Sequence, residues 1–540
     1  MSANPFAAAT AWSLLEAVAA RHGLREAIVF GDERLTFTDV RDRARAFAAG
    51  LAALGLTQGD ALAIWLPNRP LWFVAQYAAA SLGIVVVALN PRYRAHELSY
   101  ILGQSRAAAL LLTDRLGPVD YFDTLAELLP ELAHTVPGEL GSARVPALRH
   151  VIVDAEDVYP GCHRADDLLE IGMAKPAGVA PHDTFTILYT SGTTAFPKGA
   201  MISHANCVPH GWNCGQTFRL TADDRVLHAL PAAGTWGGVN IPLTAWSHGA
   251  CVVLMDVFDP LRALQLIERE RCTVLNAVDN MLIPLLDHPD LGRRDLSSLR
   301  TGGVAATGGG RHGLLEDVLD RLIPSGFQPY GMTEVNALSL LHHLDESRTD
   351  RLLPGVWAPP GLEARIADPT TDAPSSIDIE GELQFRGPLV TRGYFDKPEE
   401  TKAAFTADGW FKTGDLGVQD GAGRIIFCGR LKDTLRISHH MVAPGEIEAF
   451  LLCHPAIAQA FVVGVPDPKS NEAPVAYVIR KPGATLTENE LREWCHGKIA
   501  SFKIPRGVRF VDDVPRTPSP HGEKVQRVRL REMALKEFLR

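Results

Sequence analysis

Residues 187–199 read Ile-Leu-Tyr-Thr-Ser-Gly-Thr-Thr-Ala-Phe-Pro-Lys-Gly, and the interpretation of the whole chain starts from this stretch. An apolar run that predicts a strand leads into a loop rich in hydroxyl groups, which ends at Lys198. Backbone amides in such a loop can face phosphate oxygens, and a lysine adds a positive charge. The remaining polar or flexible positions are Thr190, Ser191, Gly192, Thr193 and Thr194. The stretch is not a GxxxxGK(S/T) loop, so composition leaves two interpretations, a phosphate-binding loop and a solvent-exposed turn.

Strand-like and helix-like segments alternate on both sides of this loop. The strand-like runs are 61–66, 84–89, 108–112, 151–154, 251–255 and 273–276, and helical patterns cover 37–54 and 260–271. Such alternation is typical of α/β layers with parallel strands. We therefore expect a large N-terminal α/β domain over residues 1–428.

A charged turn at 429–433 marks the predicted boundary of that domain. Beyond it, the patterns predict a helix at 444–453, strands at 460–464 and 475–480, and a helix at 488–498. About 110 residues are enough for a small domain of their own. The predicted organisation is therefore a domain over 1–428, a hinge over 429–433 and an α+β domain over 434–540.

The composition narrows the class of protein. The chain has 540 residues, 46% of them hydrophobic, and a net charge of -10 without a long basic run, which argues against nucleic acid as the main partner. Eight cysteines without a CxxC pair suggest neither a zinc cluster nor a disulfide framework. The N-terminus lacks a basic segment before an apolar one, so we expect a cytoplasmic protein. The apolar stretch 73–89 is short for a membrane span, so we expect it to form a buried helix and strand and not a stable membrane anchor.

The stretch 187–199 resembles the YTSGTTGxPKG signature of the adenylate-forming superfamily, which comprises acyl-CoA synthetases, peptide-synthetase adenylation domains and luciferase. One position departs, because Ala195 replaces the usual second glycine. The segments 35–37 (LTF), 66–68 (LPN) and 89–93 (LNPRY) are similar to those of acyl-CoA synthetases. The resemblance implies ATP, Mg²⁺ and a small-molecule acid as ligands, with CoA as co-substrate.

Further motifs follow in the order that this family has. Residues 330–334 (YGMTE) resemble YGxTE, 302–304 resemble the GGA segment beside adenine, and 409–417 resemble GWxxTGDLG. Read alone, each acidic residue here would more often be a solvated loop charge, and the joint order and spacing of the motifs reverse that interpretation. The resemblance implies ATP contacts by Gly302, Gly303, Tyr330, Gly331, Asp415 and Arg430. It implies catalytic roles for Thr333 and Glu334, with Glu334 also holding Mg²⁺, and makes Lys432 the hinge residue.

Residues 515–527 (PRTPSPHGEKVQR) resemble the PRTxxGKxxR motif, which makes Lys524 the candidate catalytic lysine. A carboxylate that attacks the α-phosphate brings two anions together, and a cation must offset the charge that develops. In this family the lysine arrives by rotation of the small domain. About three extra residues precede it here, and the alternative is a surface lysine in a basic tail.

Three departures concern the acid and the acceptor. The glycine-rich SGGEN-like loop reads Ile-Ser-His-His-Met at 437–441, which puts Ser438, His439 and His440 at the expected acceptor tunnel. The LPxFH segment has lost its aromatic–histidine pair, so Gly234 and Trp236 are candidates for a roomier acid pocket. Asp279 and Asn280 replace residues of the VPTM segment; they suit either a substrate with an amine or a capped helix start.

These patterns predict an AMP-forming acid–CoA ligase. A second hypothesis keeps the adenylation and changes the acceptor to an amine, a carrier protein or, with nitrite, an aromatic amine that is diazotised. A third, a non-catalytic nucleotide-binding protein, is disfavoured because Glu334, Asp415, Arg430 and Lys524 are all present. A homodimer stays open, and the sequence does not identify the acid.

Overall fold

A computed structural model describes residues 3–190, 197–305, 313–437, 440–442, 444–519 and 522–538. Up to residue 203 it contains helices α1 Ala11–His22, α2 Phe37–Ala53, α3 Pro70–Leu82, α4 Ala95–Gln104, α5 Tyr121–Leu128 and α6 Ala165–Leu169. The strands of this part are β1 Glu26–Phe30, β2 Glu33–Thr36, β3 Ala61–Trp65, β4 Val85–Ala88, β5 Ala107–Thr113, β6 Arg115–Leu116, β7 Val119–Asp120, β8 His150–Asp154, β9 Cys162–Arg164, β10 Thr184–Thr190 and β11 Lys198–Ser203. Strands β3, β4, β5, β8, β9 and β10 form a parallel sheet in the order β10-β4-β3-β5-β8-β9, and β11 adds an antiparallel edge beside β10.

Residues 204–351 build a second sheet. The helices are α7 His204–Thr217, α8 Ile241–Trp246, α9 Pro260–Glu270, α10 Asp279–Leu286, α11 Leu314–Arg321 and α12 Arg348–Arg351. The strands are β12 Arg225–His228, β13 Cys251–Leu254, β14 Val274–Leu275, β15 Ala277–Val278, β16 Thr301–Ala305 and β17 Ser325–Phe327. They are ordered β15-β16-β14-β12-β13-β1-β2, with β17 beside β16 and only β2 antiparallel to its neighbour.

The rest of the chain forms an antiparallel sheet and a mixed sheet. Strands β18 Glu363–Ala367, β19 Gly381–Arg386, β20 Phe411–Gln419 and β21 Ile425–Arg430 pair in sequence, with helix α13 Pro398–Ala403 between β19 and β20. Strands β22 Leu435–Ile437, β23 His440–Val442, β24 Ile457–Asp467, β25 Asn471–Arg480 and β26 Gly507–Phe510 form a further sheet, with helices α14 Pro444–Leu452, α15 Glu488–Cys495 and α16 Arg527–Phe538. In this mixed sheet, β26 runs parallel to β25. Strands β27 Arg516–Ser519 and β28 Gly522–Val525 pair as a hairpin just before α16.

The apolar stretch at 73–89 is a buried helix and strand, as the sequence predicts. Helix α3 is enclosed on nearly every side, and the rings of Tyr77 and Trp246 lie 5.0 Å apart where it meets α8. Helix α2 packs against α3 through a stripe of apolar residues. The N-terminus of α2 is capped by the Thr36 side chain, which accepts a hydrogen bond from the Asp39 amide. In the described part of the chain, no helix combines the length and the apolar character needed to cross a bilayer.

Two local predictions differ from the structure. Residues 199–206 (GAMISHAN) resemble the helix start that follows the family's phosphate loop, but 198–203 form a strand that pairs along β10, and α7 begins only at His204. The sequence predicts a strand over 424–428, and β21 continues to Arg430 because Leu416 and Asp415 of β20 extend the ladder to Gly429 and Arg430. The boundary at 429–433 stays a prediction; separate apolar clusters before and after it support the boundary.

Candidate nucleotide and acid site

The predicted phosphate loop lies at the tip of the β10–β11 hairpin. Thr190 and Lys198 are paired residues at the last position of the ladder, so the hairpin holds the two ends of the loop together. Both side chains are partly exposed. Ser191, Gly192, Thr193, Thr194 and the departure Ala195 lie outside the described residues.

Glu334 forms a buried carboxylate site beside that hairpin. The Tyr394 hydroxyl donates a 3.0 Å hydrogen bond to its Oε1, and Lys198 Nζ lies 5.2 Å from the centre of the Tyr394 ring. Burial raises the pKa of Glu334, against the opposing influence of Tyr394, Arg430 and Lys198. A nearby cation stabilises the ionised form of a buried carboxylate. Glu334 therefore fits the predicted role as a ligand of Mg²⁺, an ion that prefers carboxylate and phosphate oxygens.

Asp415 is the centre of a second cluster. It is 2% exposed; the Tyr330 hydroxyl donates to its Oδ2 at 2.6 Å, and Arg430 Nε lies 3.0 Å from its Oδ1. Asp415 and Arg430 are opposite each other in the β20–β21 ladder, which brings the two motifs together. Burial raises the pKa of Asp415, while Arg430 and Tyr330 act to lower it. A carboxylate has about four lone-pair sites, so the ribose hydroxyls can still be accepted.

The Tyr330 ring is buried as well as its hydroxyl. Its centre lies 5.2 Å from that of Phe427 and 6.2 Å from that of Phe385. Neither phenylalanine was singled out from the sequence, because each is one apolar position in an ordinary strand. Stacking of Tyr330 on adenine stays a prediction; the structure adds that Tyr330 orients Asp415.

Glycines line this site because other backbone atoms come very close. A methyl group at Gly302 would lie 1.8 Å from the Leu275 carbonyl oxygen. At Gly331 it would lie 1.1 Å from the carbonyl oxygen of Ala337, a residue with a positive φ of 71°. The YGMTE segment therefore folds back tightly on itself and places Thr333 and Glu334 in one short 3₁₀ turn, Thr333–Val335.

Replacing Gly331 by alanine is expected to destabilise the protein and weaken ATP binding. Overpacking against well-packed atoms costs about 1–3 kcal/mol, and here the contact is with backbone, which cannot swing away. Thermal unfolding with and without ATP measures the effect. Gly421→Ala is the matched control, because a methyl group there meets nothing within 4 Å. Equal melting temperatures for the two variants would contradict the prediction.

The acid-pocket candidates fall into two groups. Gly234 precedes a π-helical turn, Thr235–Asn240, and Trp236 within that turn is buried, its Cζ2 2.9 Å from where a methyl group on Gly303 would lie. The indole N–H of Trp236 has no hydrogen-bond partner among the described residues. The structure thus brings Trp236 to the glycine segment predicted to lie along adenine.

Asp279 and Asn280 form the start of α10. The N-cap residue is Val278, so the expectation that Asp279 or Asn280 caps the helix is wrong. Strand β15 extends through Val278, and Asp279 therefore occupies the first helical position. Its Oδ1 accepts a 2.9 Å hydrogen bond from the Asn280 amide. Asp279 is partly exposed and Asn280 is exposed. A carboxylate in the first turn of a helix is favourable without any substrate.

The candidates beyond the predicted boundary are described less completely. Lys432 is exposed within the 3₁₀ turn Leu431–Asp433. The backbone of His440 begins β23, whereas Ser438 and His439 lie outside the described residues. The backbone of Lys524 lies in β28 opposite Thr517, one pair from the base of the hairpin.

Two family models match successive parts of the chain. A model described as AMP-binding enzyme matches residues 15–395, and one described as AMP-binding enzyme C-terminal domain matches 446–520. The chain belongs to the AMP-binding enzyme family. The predicted membership of the adenylate-forming superfamily is thereby confirmed, and so is the α/β fold with a smaller C-terminal domain.

Individual relatives agree along the whole length. YngI of Bacillus subtilis (strain 168), named provisionally as an acyl-CoA synthetase, is 37% identical over 97% of this chain and 97% of its own. The mitochondrial medium-chain acyl-CoA ligase ACSF2 of Danio rerio is 33% identical over 100% of this chain and 90% of its own. The crystal structure of ATP-bound MatB from Rhodopseudomonas palustris matches with a TM-score of 0.84 at 28% identity, covering 98% of this chain and all of that one. The prediction of an AMP-forming ligase of the acyl-CoA synthetase type is confirmed.

Proposed function

We propose that this protein joins a carboxylic acid to CoA through an enzyme-bound acyl-adenylate, and that the acid is an apolar one of medium chain length. The proximity of the two carboxylate clusters supports the formation of an acyl-adenylate from ATP. Arg430 lowers the pKa of Glu334, and Glu334 raises that of Asp415, so the clusters share one electrostatic environment. Neighbouring sites for a ribose and for a phosphate-bound metal ion suit ATP.

The first half-reaction forms the adenylate. A carboxylate oxygen of the acid attacks the α-phosphorus of ATP, the bond to the β-phosphate bridging oxygen breaks, and pyrophosphate leaves. Asp415 holds the ribose, Lys198 attracts the phosphates, and Lys524 offsets the negative charge that develops as the two anions meet. Mg²⁺ held by Glu334 supplies further neutralisation of the phosphate charge when it is bound.

The second half-reaction transfers the acyl group. The CoA thiolate attacks the acyl carbon, the bond from that carbon to the phosphate oxygen breaks, and AMP leaves. The family resemblance assigns Ser438, His439 and His440 to the acceptor tunnel. The full-length match to acyl-CoA synthetases supports CoA over an amine or a carrier protein as the acceptor.

The proposed acid class rests on the segments assigned to the acid pocket. These segments, 230–237 and 278–281, include buried apolar side chains, among them Trp236 and Met281. Asp279, the acidic residue assigned to this pocket, lies in the first turn of a helix, where a carboxylate is favourable without any substrate, and this supports an acid that has no amine. A relative named as a medium-chain acyl-CoA ligase supports an acid such as octanoate.

The test compares acids and acceptors in one experiment. Acetate, octanoate, palmitate, benzoate, 4-aminobenzoate, and nitrite with an aromatic amine are each incubated with ATP and Mg²⁺, with and without CoA. We expect sustained pyrophosphate release with octanoate only when CoA is present, together with the mass of octanoyl-CoA. Turnover that ignores CoA but needs an amine would overturn the proposed acceptor, and a preference for 4-aminobenzoate would overturn the proposed acid class.

A further inference from the structure

A buried ion pair lies at the end of the hairpin that carries Lys524. Glu448 of α14 is 3% exposed, and its two oxygens accept hydrogen bonds of 2.7 and 2.8 Å from Nη1 and Nη2 of Arg527. The Val462 amide also donates to Glu448 Oε1 at 2.7 Å, and Arg527 Nη1 donates to the Val462 carbonyl at 2.8 Å. Two parallel bonds between a guanidinium and a carboxylate fix direction as well as distance.

This pair and a second contact attach the base of the hairpin to β24. Arg527 is the first residue of α16 and follows Lys524 by one residue of strand and one connecting residue, Gln526. The Gln526 amide donates to the Pro515 carbonyl at 2.8 Å, which closes the hairpin. On the other strand, Arg516 Nη2 donates to Gln459 Oε1 at 3.0 Å. Arg516 of β27 and Arg527, just after β28, are therefore both hydrogen-bonded to residues of β24.

Docking of α16 does not depend on the ion pair. Leu530 and Ala534 are fully buried in an apolar cluster with β24 and β25, and the Phe538 ring covers Gly507. Replacing a buried ion pair by apolar residues is often neutral for stability, so stability alone is a weak reason to keep Glu448 and Arg527 there. What the pair adds is a fixed orientation for the chain that leaves the hairpin.

We propose that Glu448 and Arg527 are positioning residues that hold the β27–β28 hairpin in the orientation that Lys524 requires for adenylation. This inference rests on the proposed role of Lys524. It predicts that the two half-reactions respond differently when the pair is disturbed, because only adenylation uses Lys524. A structural contribution to folding would affect both alike.

The test replaces Arg527 by lysine, which keeps the charge and removes the fork. Adenylation is followed by ATP–pyrophosphate exchange with octanoate, and thioester formation by mixing presynthesised octanoyl-adenylate with CoA. We expect the exchange rate to fall by ~10²-fold, the effect of about 1 Å of misplacement. Thioester formation should keep its rate.

Arg531→Lys is the matched control on the same helix. Arg531 is 48% exposed and pairs with Glu472 at 2.7 Å on the surface, where such pairs contribute little, so both half-reactions should keep their rates. If Arg527→Lys does not fold, Arg516→Gln removes the contact to Gln459 at the other arm and should show the same selective loss. Equal loss in both half-reactions, or an unchanged exchange rate, would overturn the inference. If Lys524→Ala also left exchange intact, the proposed role of Lys524 would fail, whereas a lack of octanoate-dependent exchange in the unmodified protein would overturn the proposed function itself.

Discussion

Replacing Lys524 by alanine is expected to suppress adenylation while leaving thioester formation from a supplied acyl-adenylate intact. The attack of a carboxylate on the α-phosphate concentrates negative charge, and removal of one group that stabilises such charge costs ~10²–10³-fold in rate. The second half-reaction breaks the bond between the acyl carbon and oxygen of the mixed anhydride, with no attack on phosphorus, so we expect it not to need that cation. ATP–pyrophosphate exchange and the conversion of octanoyl-adenylate with CoA measure the two steps separately.

The control for this variant is Lys536→Ala, which removes an exposed lysine from the last turn of α16. It distinguishes a specific role of Lys524 from a general effect of charge in the basic C-terminal segment. Undiminished exchange in Lys524→Ala would support the alternative interpretation, a surface lysine in that segment.

Replacing Asp415 by asparagine is expected to raise the KM for ATP by ~10²-fold, which corresponds to about 3 kcal/mol of binding free energy. The substitution removes a buried charge and deprives Arg430 of the carboxylate that lies 3.0 Å from its Nε. It also removes the acceptor that the ribose hydroxyls need. Steady-state kinetics and calorimetric titration with ATP measure the change.

Tyr330→Phe is the companion variant, because it deletes the hydroxyl that donates the 2.6 Å hydrogen bond to Asp415. A hydrogen bond to a charged group contributes about 1.5–3 kcal/mol, so we expect an increase of roughly tenfold in KM for ATP. Melting temperatures of both variants separate loss of binding from loss of fold. An Asp415→Asn enzyme that binds ATP as tightly as the unmodified protein would contradict the assigned role.

Local patterns predict much of this fold because they are repeated over several turns or strands. Helix α2 follows from the spacing of Val40, Ala44, Phe47 and Leu51, and the enclosed helix α3 from an uninterrupted apolar run. Element ends are less predictable, since they depend on a partner strand. Strand β21 continues to Arg430 only because β20 offers paired positions that far.

The candidate site shows the same division. Asp415, Arg430 and Glu334 are found from motif order, and the structure brings them together. Tyr394 was not found, because nothing near it in sequence marks it, and its importance comes from a hydrogen bond across the fold to Glu334. The contact of Trp236 with Gly303 is equally invisible in sequence, since it joins a π-helical turn to a distant strand.

In the proposed first half-reaction, a carboxylate oxygen of the acid becomes bonded to the α-phosphorus of ATP. The most direct measurement uses octanoate labelled with oxygen-18 in its carboxylate, together with ATP and CoA, and determines the mass of the AMP that is released. Transfer through an acyl-adenylate leaves one labelled oxygen on AMP, because the thiol attacks the acyl carbon and the phosphate keeps the bridging oxygen. AMP without label, released alongside octanoyl-CoA, would contradict the account.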